Sequence, residues 1–458
     1  MTKTQKTQAL IFVSALLAFI PFLGSVHLFD WDEINFAEAA REMILTGDYA
    51  HVQIGFEPFW EKPPLFIWLQ VIAMKLFGIN EFAARLPNAI AGAISLTLLY
   101  RIGHSWRNHR FGLLWAGVYA ASLLPQFYFR SGIIDPWFNL FIFLGIERSI
   151  AATKTLHVHS IPLIRSGVFI GLAVITKGPA ALVLVGIMFL IYIIINWKSI
   201  GVEWYQPILF LVPVLLIGFS WFIYEALFGN WELVQAFIEY NLRLVSESEA
   251  GHGQPFYYHA VVLLLGCFPM SLIFLFNLKK REWNKLTNMD HERLWMMIMF
   301  WVVFIVFSAV KTKIIHYSSL AYFPISFIAA DMLQQWWTKE HTVKRWHIYL
   351  MNTQAVLLGS ALIMAGLFPY IIPLILKSGL ISDPNIGSIL SIKANWQGWE
   401  PLVGSILIIG VLVGSVKLRV GKMKSGIRFI LASSFVTFFL ASVAFMPRVE
   451  EFTQAGII

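Results

Sequence analysis

The residues whose types could carry chemistry cluster early in the chain. Between residues 30 and 62 lie Asp30, Asp32, Glu33, Glu38, Glu42, Asp48, Glu57 and Glu61, balanced only by Arg41 and Lys62. The run Asp30-Trp31-Asp32-Glu33 fits an N-cap followed three residues later by its Glu, opening a helix through Phe36, Ala40 and Met43. Capping accounts for Asp30 and Glu33 but does not require Asp32, which would sit where an apolar segment ends, beside apolar walls. A carboxylate in that setting is poised to act as a general base. The stretch closes on Phe59-Trp60-Glu61-Lys62-Pro63-Pro64-Leu65, where proline pre-sets a first helical turn. Free N–H groups at that start, with Lys62 beside them, would attract an anion. The plainer alternative is a proline-initiated helix with a snorkelling lysine.

Three further basic elements change the balance: Arg85 in Ala84-Arg85-Leu86-Pro87, Arg243 in Tyr240-Asn241-Leu242-Arg243, and the group Lys311, Lys313, His316 and Tyr317. Each alone reads as an interfacial anchor. Together with the acid-rich loop they describe a cavity that holds an anionic lipid head group next to a base, and a polyprenyl phosphate sugar fits that description. Displacing its sugar needs a carboxylate to take the acceptor's proton and cations to stabilise the departing phosphate. A monophosphate leaves with little enough charge that a metal is not required. The chain contains no Walker loop, HExxH or GxSxG motif.

The elements that must position these groups follow from composition. Of 458 residues 58% are hydrophobic and 13% charged, with mean hydropathy +0.69. That is about half the charge a soluble domain carries, so the chain reads as an all-α polytopic membrane protein. A soluble enzyme, a disordered chain and a disulfide scaffold are excluded, and the single cysteine, Cys267, cannot form an internal bridge. Apolar runs at 9–29, 86–104, 111–128, 136–150, 164–177, 179–196, 206–225, 260–277, 294–310, 318–335, 348–375, 401–416 and 429–446 predict about 13 transmembrane helices. No Ala-x-Ala site follows the first run, which therefore reads as an uncleaved span.

The thirteen residues Leu65 to Phe77 include Lys75 and read as an interfacial or re-entrant helix. With that helix not crossing and the N-terminus inside, 22 of the 34 Lys and Arg residues fall on the inner side, against 7 of the 26 Asp and Glu. Counting it as a span would invert every later loop and put the basic clusters outside. The net charge of +8 thus reflects topology, and no nucleic-acid partner is expected.

At this point a family resemblance enters. Asp32-Glu33, Ala37-Glu38-Ala39-Ala40-Arg41-Glu42-Met43, Gly47-Asp48, Phe59 to Leu65, Leu76-Phe77-Gly78, Glu81-Phe82-Ala83-Ala84-Arg85-Leu86-Pro87 and Thr176-Lys177-Gly178-Pro179 resemble the bacterial lipid A aminoarabinose transferase branch of the protein O-mannosyltransferase superfamily. The likeness is dense over residues 30–180 and sparser, but in order, after 260. It implies the GT-C membrane fold and an inverting glycosyltransferase using an undecaprenyl phosphate sugar. It also implies Asp32 as base, Asp135 as a second acid, and a donor phosphate held by Lys62, Arg243 and Tyr317; the residues themselves add Glu33 beside the first acid and Arg85 and Lys313 as further groups at the phosphate. Where such enzymes use a divalent metal, the corresponding residue here is Glu61, with His252 or His259 as a substitute second ligand.

The expected organisation is a catalytic module over 1–335 with outer loops 30–85 and 226–259, followed by C-terminal transmembrane helices over 336–458 and no soluble domain. The expected setting is the bacterial inner membrane with the site on the outer face, and a lipid, glycan or protein acceptor. The competing reading is a transporter or flippase of lipid-linked sugars, which would carry ionisable groups at mid-membrane on broken helices.

Overall fold

Helix α1, Lys3–Phe19, starts at a capping box: the Thr2 hydroxyl accepts from the Gln5 N–H, and the Gln5 side chain accepts from the Thr2 N–H. It ends just before Pro21. The computed structural model describes residues 2–29, 31–154, 157–196, 201–246, 253–278, 290–378, 392 and 394–454. Helix α2, Asp32–Thr46, follows and stops at Gly47, whose φ of +74° suits glycine. A short hairpin of β1 (Gln53–Ile54) and β2 (Glu57–Pro58) pairs Gln53 with Pro58. Its turn is held by the Glu42 carboxylate, which accepts from the N–H groups of Gly55 and Phe56 at 2.6 and 2.8 Å.

Helix α3 covers Leu65–Phe77, the bounds expected for the non-crossing segment. The long α4, Glu81–Trp106, is capped by Asn80, which accepts from the Ala83 N–H at 2.9 Å. Then come α5 (His109–Ala120), α6 (Leu123–Tyr128), α7 (Asp135–Ala152), α8 (Ser160–Lys177) and α9 (Ala180–Asn196). Next are α10 (Gln206–Gly218), α11 (Ser220–Leu227), α12 (Trp231–Ser246), α13 (Tyr258–Gly266), α14 (Met270–Phe276) and α15 (His291–Ala309). A 3-10 turn, Ile315–Ala321, leads into α16, Tyr322–Thr338. The C-terminal set is α17 (Arg345–Gly366), α18 (Phe368–Lys377), α19 (Pro401–Arg419), α20 (Met423–Ala444) and α21 (Met446–Gln454).

Among the described residues six helices are long and apolar enough to cross a membrane, or eight if each of two bent pairs counts as one span. The sequence reading divides the same apolar content into thirteen runs, and the difference lies partly in length, since α1, α9 and α16 have 17 residues each, and partly in breaks. Run 206–225 bends by 51° between α10 and α11, and run 260–277 bends by 106° between α13 and α14. Runs 111–128 and 348–375 each divide into two helices. Pro125, Pro269 and Pro369 stand at or just before the first turn of the second piece in three of these four, where a missing N–H costs nothing.

The core runs the length of the bundle. Phe143 stacks on Phe323 at 4.2 Å, and Trp115 lies edge-on to Phe327 at 5.0 Å while donating to the Ser326 hydroxyl at 2.9 Å. A separate apolar cluster under the first loop packs Ala40 and Met43 of α2 against Ile67 and Val71 of α3, Ala84 of α4 and Phe237 of α12. The helical spacing of α2's apolar residues thus lays it across other helices as a juxtamembrane element.

The ion pairs follow the charge partition read from the sequence. Arg107 meets Asp290 at 2.7 Å, Lys154 meets Glu292 at 3.5 Å and Arg293 meets Asp331 at 2.8 Å, all assigned to the inner side. Arg85 meets Glu33 and Lys177 meets Asp135 at the other end. The C-terminal helices join that second end, where Glu450 of α21 lies 2.7 Å from His27.

Candidate active site

Asp32 is the first residue of α2, and its neighbour sets its direction. Glu33 is buried and accepts from Arg85 at 2.7 and 3.1 Å, from the Phe29 N–H at 2.9 Å and from the Gly132 N–H. Successive helical residues point about 100° apart, so anchoring Glu33 inward turns Asp32 toward the adjoining space. This replaces the simple capping role expected for Glu33: the residue before α2 is Trp31, with no side-chain cap, and Asp30 lies outside the described residues. Arg85 completes the anchor by donating to the carbonyls of Leu23, Val26 and His27 at 2.6 to 2.9 Å. All three guanidinium nitrogens are engaged, so Arg85, expected at the donor phosphate, is the keystone tying α4 to the approach to α2.

Asp135 opens α7 beside Pro136 and is 2% exposed. One oxygen accepts from Lys177 Nζ at 2.6 Å, and the other has no hydrogen-bond partner. Lys177 ends α8, where a cation complements the helix dipole. The stop that follows requires Gly178: its φ is +87°, and a Cβ there would come 2.5 Å from the ring of Phe237. His316, in the 3-10 turn, reaches both acids, with Nε2 3.5 Å from Asp32 and 3.7 Å from Asp135. Burial lowers the pKa of His316 below the usual imidazole value, against the pull of Asp135.

Lys62 precedes α3, with Nζ 3.6 Å from Glu61 and 4.9 Å above the ring of Tyr240 on α12. Burial lowers its pKa, partly opposed by Glu61 and Asp32. Tyr317 lies under Lys177 Nζ at 5.0 Å. Burial, then the neighbouring carboxylates, raises the pKa of Tyr240 and of Tyr317, keeping both as neutral donors. These groups line one cavity of about 620 Å³ whose other walls are mostly apolar, from Phe22 and Val26 to Ile134 and Met446, with Arg130 and a few hydroxyl side chains among them. The arrangement sets an accessible carboxylate opposite two lysines and two phenols, in low-dielectric surroundings where charge interactions are strong.

The structure thus gathers Asp32, Glu33, Glu61, Lys62, Arg85 and Tyr317 around one space, with Asp135 paired to the wall residue Lys177. Lys313 is buried but donates to the Val310 carbonyl at 2.6 Å and is not part of the cavity wall. Arg243 is exposed on α12, three residues beyond Tyr240, and is likewise outside the wall. His252 lies outside the described residues. Among the described residues no group of three or more His, Cys, Asp and Glu side chains is arranged to hold a metal, and Glu61 is engaged with Lys62 and Tyr240.

The sequence reading placed His316 in the basic group at the cavity without a role between the acids, and did not single out Lys177 as a site residue. A lysine ending an apolar run was the available signal for Lys177. For His316 the basic cluster gave its place, but not its position between two acids distant in the chain.

The family described as dolichyl-phosphate-mannose-protein mannosyltransferase matches residues 61–224. The chain is 27% identical over 333 residues to undecaprenyl phosphate-alpha-4-amino-4-deoxy-L-arabinose arabinosyl transferase 1 of Proteus mirabilis, covering 71% of this chain and 59% of that one. It is equally similar, at 27% over 334 residues, to the corresponding transferase of Pectobacterium carotovorum, covering 71% and 58%. The crystal structure of ArnT from Cupriavidus metallidurans bound to undecaprenyl phosphate superposes with a TM-score of 0.77 at 18% identity, covering 98% of this chain and 78% of that one. The chain therefore has the fold of that structure. It spans less than two thirds of the length of the Proteus and Pectobacterium relatives. The ArnT-like fold, multi-pass in the membrane, is the scaffold on which the cavity is built.

Proposed function

We propose that the protein is an inverting glycosyltransferase that moves a sugar from a polyprenyl phosphate donor to an acceptor at the outer face of the membrane. The observation that carries this reading is the meeting of Asp32 with Lys62, Lys177 and Tyr317 in one cavity. Likeness to transferases named for undecaprenyl phosphate sugars supports the donor class.

In the proposed reaction Asp32 takes the proton from the acceptor's nucleophilic oxygen. That oxygen bonds to the anomeric carbon from the side opposite the phosphate, and the carbon–oxygen bond to phosphate breaks with its electron pair passing to the phosphate. Lys62, helped by the Tyr317 hydroxyl, neutralises the charge that gathers there. Lys177 holds the Asp135 carboxyl in place beside His316, and the Glu33–Arg85 pair positions α2; these are positioning roles. Arg243 reaches the phosphate only if α12 adjusts when the donor binds. The acceptor is a lipid, a glycan or a protein, any of which offers an oxygen for the same chemistry. The active-site end faces outward with the N-terminus inside, as the charge partition requires.

Transfer of label from a synthetic polyprenyl phosphate sugar by purified protein tests this reading. Transfer abolished by Asp32→Asn supports it. Binding of the donor without transfer to any acceptor, together with its movement between leaflets of vesicles, would instead favour the flippase.

A further inference from the structure

We propose that the protein carries a second ligand site, at the end of the bundle away from the cavity of Asp32, that takes the phosphate of an anionic glycerophospholipid at Arg110 and Arg428 and lays its acyl chains in the groove between α5 and α20. The proposal is independent of the sugar-transfer reading.

The groove has a volume of about 600 Å³. Helix α20 fixes its position, because Ser442 lines the first cavity and Arg428 lines this groove. Fourteen residues of helix separate them, about 21 Å of rise, which puts the groove mouth toward the opposite membrane surface. At that mouth the guanidinium groups of Arg110 and Arg428 lie 5.7 and 5.5 Å from the ring centre of Trp337 on α16. Two positive groups therefore share one indole. Neither arginine forms an ion pair among the described residues, and no Asp or Glu lines the groove.

The contrast with the rest of this end is informative. Arg107, Lys154 and Arg293 each have a carboxylate at 2.7 to 3.5 Å. Arg110 and Arg428 are left with like charges side by side and an aromatic surface that orients them. A phosphate diester supplies the missing negative charge and accepts from both planar guanidinium forks. His109 stands at the same mouth with its Nδ1 against the Tyr100 hydroxyl at 2.8 Å, and adds no negative charge.

Beyond the arginines the lining is apolar. Leu113 and Leu114 on α5 face Leu431 and Phe435 on α20, and Gly117 and Ala432 leave the slot open between them. A cationic mouth above an apolar slot between helices matches a charged head group with chains attached. A second copy of this chain matches less well, because a two-fold contact through this groove would set arginines against arginines.

The test uses the intact protein purified in a neutral detergent and native mass spectrometry with added dioleoyl phosphatidylglycerol or dioleoyl phosphatidylcholine, which carry the same chains. Phosphatidylglycerol should be retained at least about tenfold better, and the double variant R110Q/R428Q should lose that preference. G117L attacks the site from its apolar side with both arginines intact. A Cβ at Gly117 meets only Leu431 Cδ1 at 3.9 Å, so the backbone tolerates it while the longer side chain fills the slot. Retention of phosphatidylglycerol should fall there too, at an unchanged melting temperature. Parental retention by either variant would overturn the proposal. So would displacement of the lipid by an equal concentration of inorganic phosphate, which would mean a free-anion site, or a parental dimer that R110Q/R428Q dissociates.

Discussion

Replacing Lys177 by Met tests how the buried acid of the site is maintained. The methionine keeps the length and much of the volume of the lysine stem and removes only the charge and its hydrogen bond. Asp135 would then keep 2% exposure, lose its 2.6 Å donor and retain an oxygen that already lacks a partner. Removing one member of a buried ion pair costs about 3–5 kcal/mol, because the remaining charge is uncompensated. Asp135→Asn should cost less, about 1–3 kcal/mol, since the Lys177 ammonium keeps its contacts with the rings of Tyr317 and Phe138 at 5.0 and 5.7 Å. The double variant, with no buried charge left on either partner, should recover at least about 1–2 kcal/mol relative to Lys177→Met alone. Denaturant unfolding of the purified proteins in mixed micelles reads all four corners of this cycle. Sugar transfer should stay low in all three variants, which separates stability from chemistry. If Lys177→Met unfolds with the parent, or Asp135→Asn brings no recovery in its presence, the pair does not hold the acid and the argument fails.

Asp32→Asn keeps size and hydrogen bonding but removes basicity, so transfer should fall by roughly 10² to 10⁴-fold while donor binding persists; near-normal transfer, or a product retaining the donor's anomeric configuration, would refute the assignment. Lys62→Ala should weaken binding of a polyprenyl phosphate measured by titration, with the fold intact, and parental affinity would move the phosphate elsewhere. Burial lowers the pKa of His316, so the unfolded chain takes up this proton first as pH falls. Stability present above about pH 6.5 should therefore decline below it, and the decline between pH 8 and 5.5 should be smaller in His316→Gln. For topology, the exposed Glu57→Cys should react with an impermeant thiol reagent in intact cells and the exposed Lys422→Cys should not. The reverse result would invert the bundle. Arg85 cannot serve as a reporter because it is buried.

Much of the architecture was legible because it depends on quantities that add along the chain. Hydropathy summed over 458 residues dictated a helical membrane protein, since a backbone in lipid must satisfy its own hydrogen bonds. The proline pair before Leu65 and the glycine after Phe77 set the bounds of α3. The paired groups of one end, Arg107 with Asp290 and Arg293 with Asp331, fall on a single side when charge is counted. Local chemistry also marked Asp32, which the expected cap left over, and Lys62, which stands beside a proline-set helix start.

What the sequence could not determine was how separate segments share charge. Glu33 looked like a cap and Arg85 like a phosphate ligand, and both assignments were reasonable for isolated turns. Only the folded chain brings them to 2.7 Å and commits each to the other. Lys313 and Tyr317 lie four residues apart, yet one donates to a backbone carbonyl and the other faces the cavity. The breaks at α10–α11 and α13–α14 depended on packing that no apolar count contains. Asp135, Lys177 and His316 come from three separate elements and were joined by tertiary structure alone. The physical reason is range: hydropathy, capping and turn chemistry act over a few residues, whereas a buried charge is stable only next to its partner, which the chain can supply from any distance.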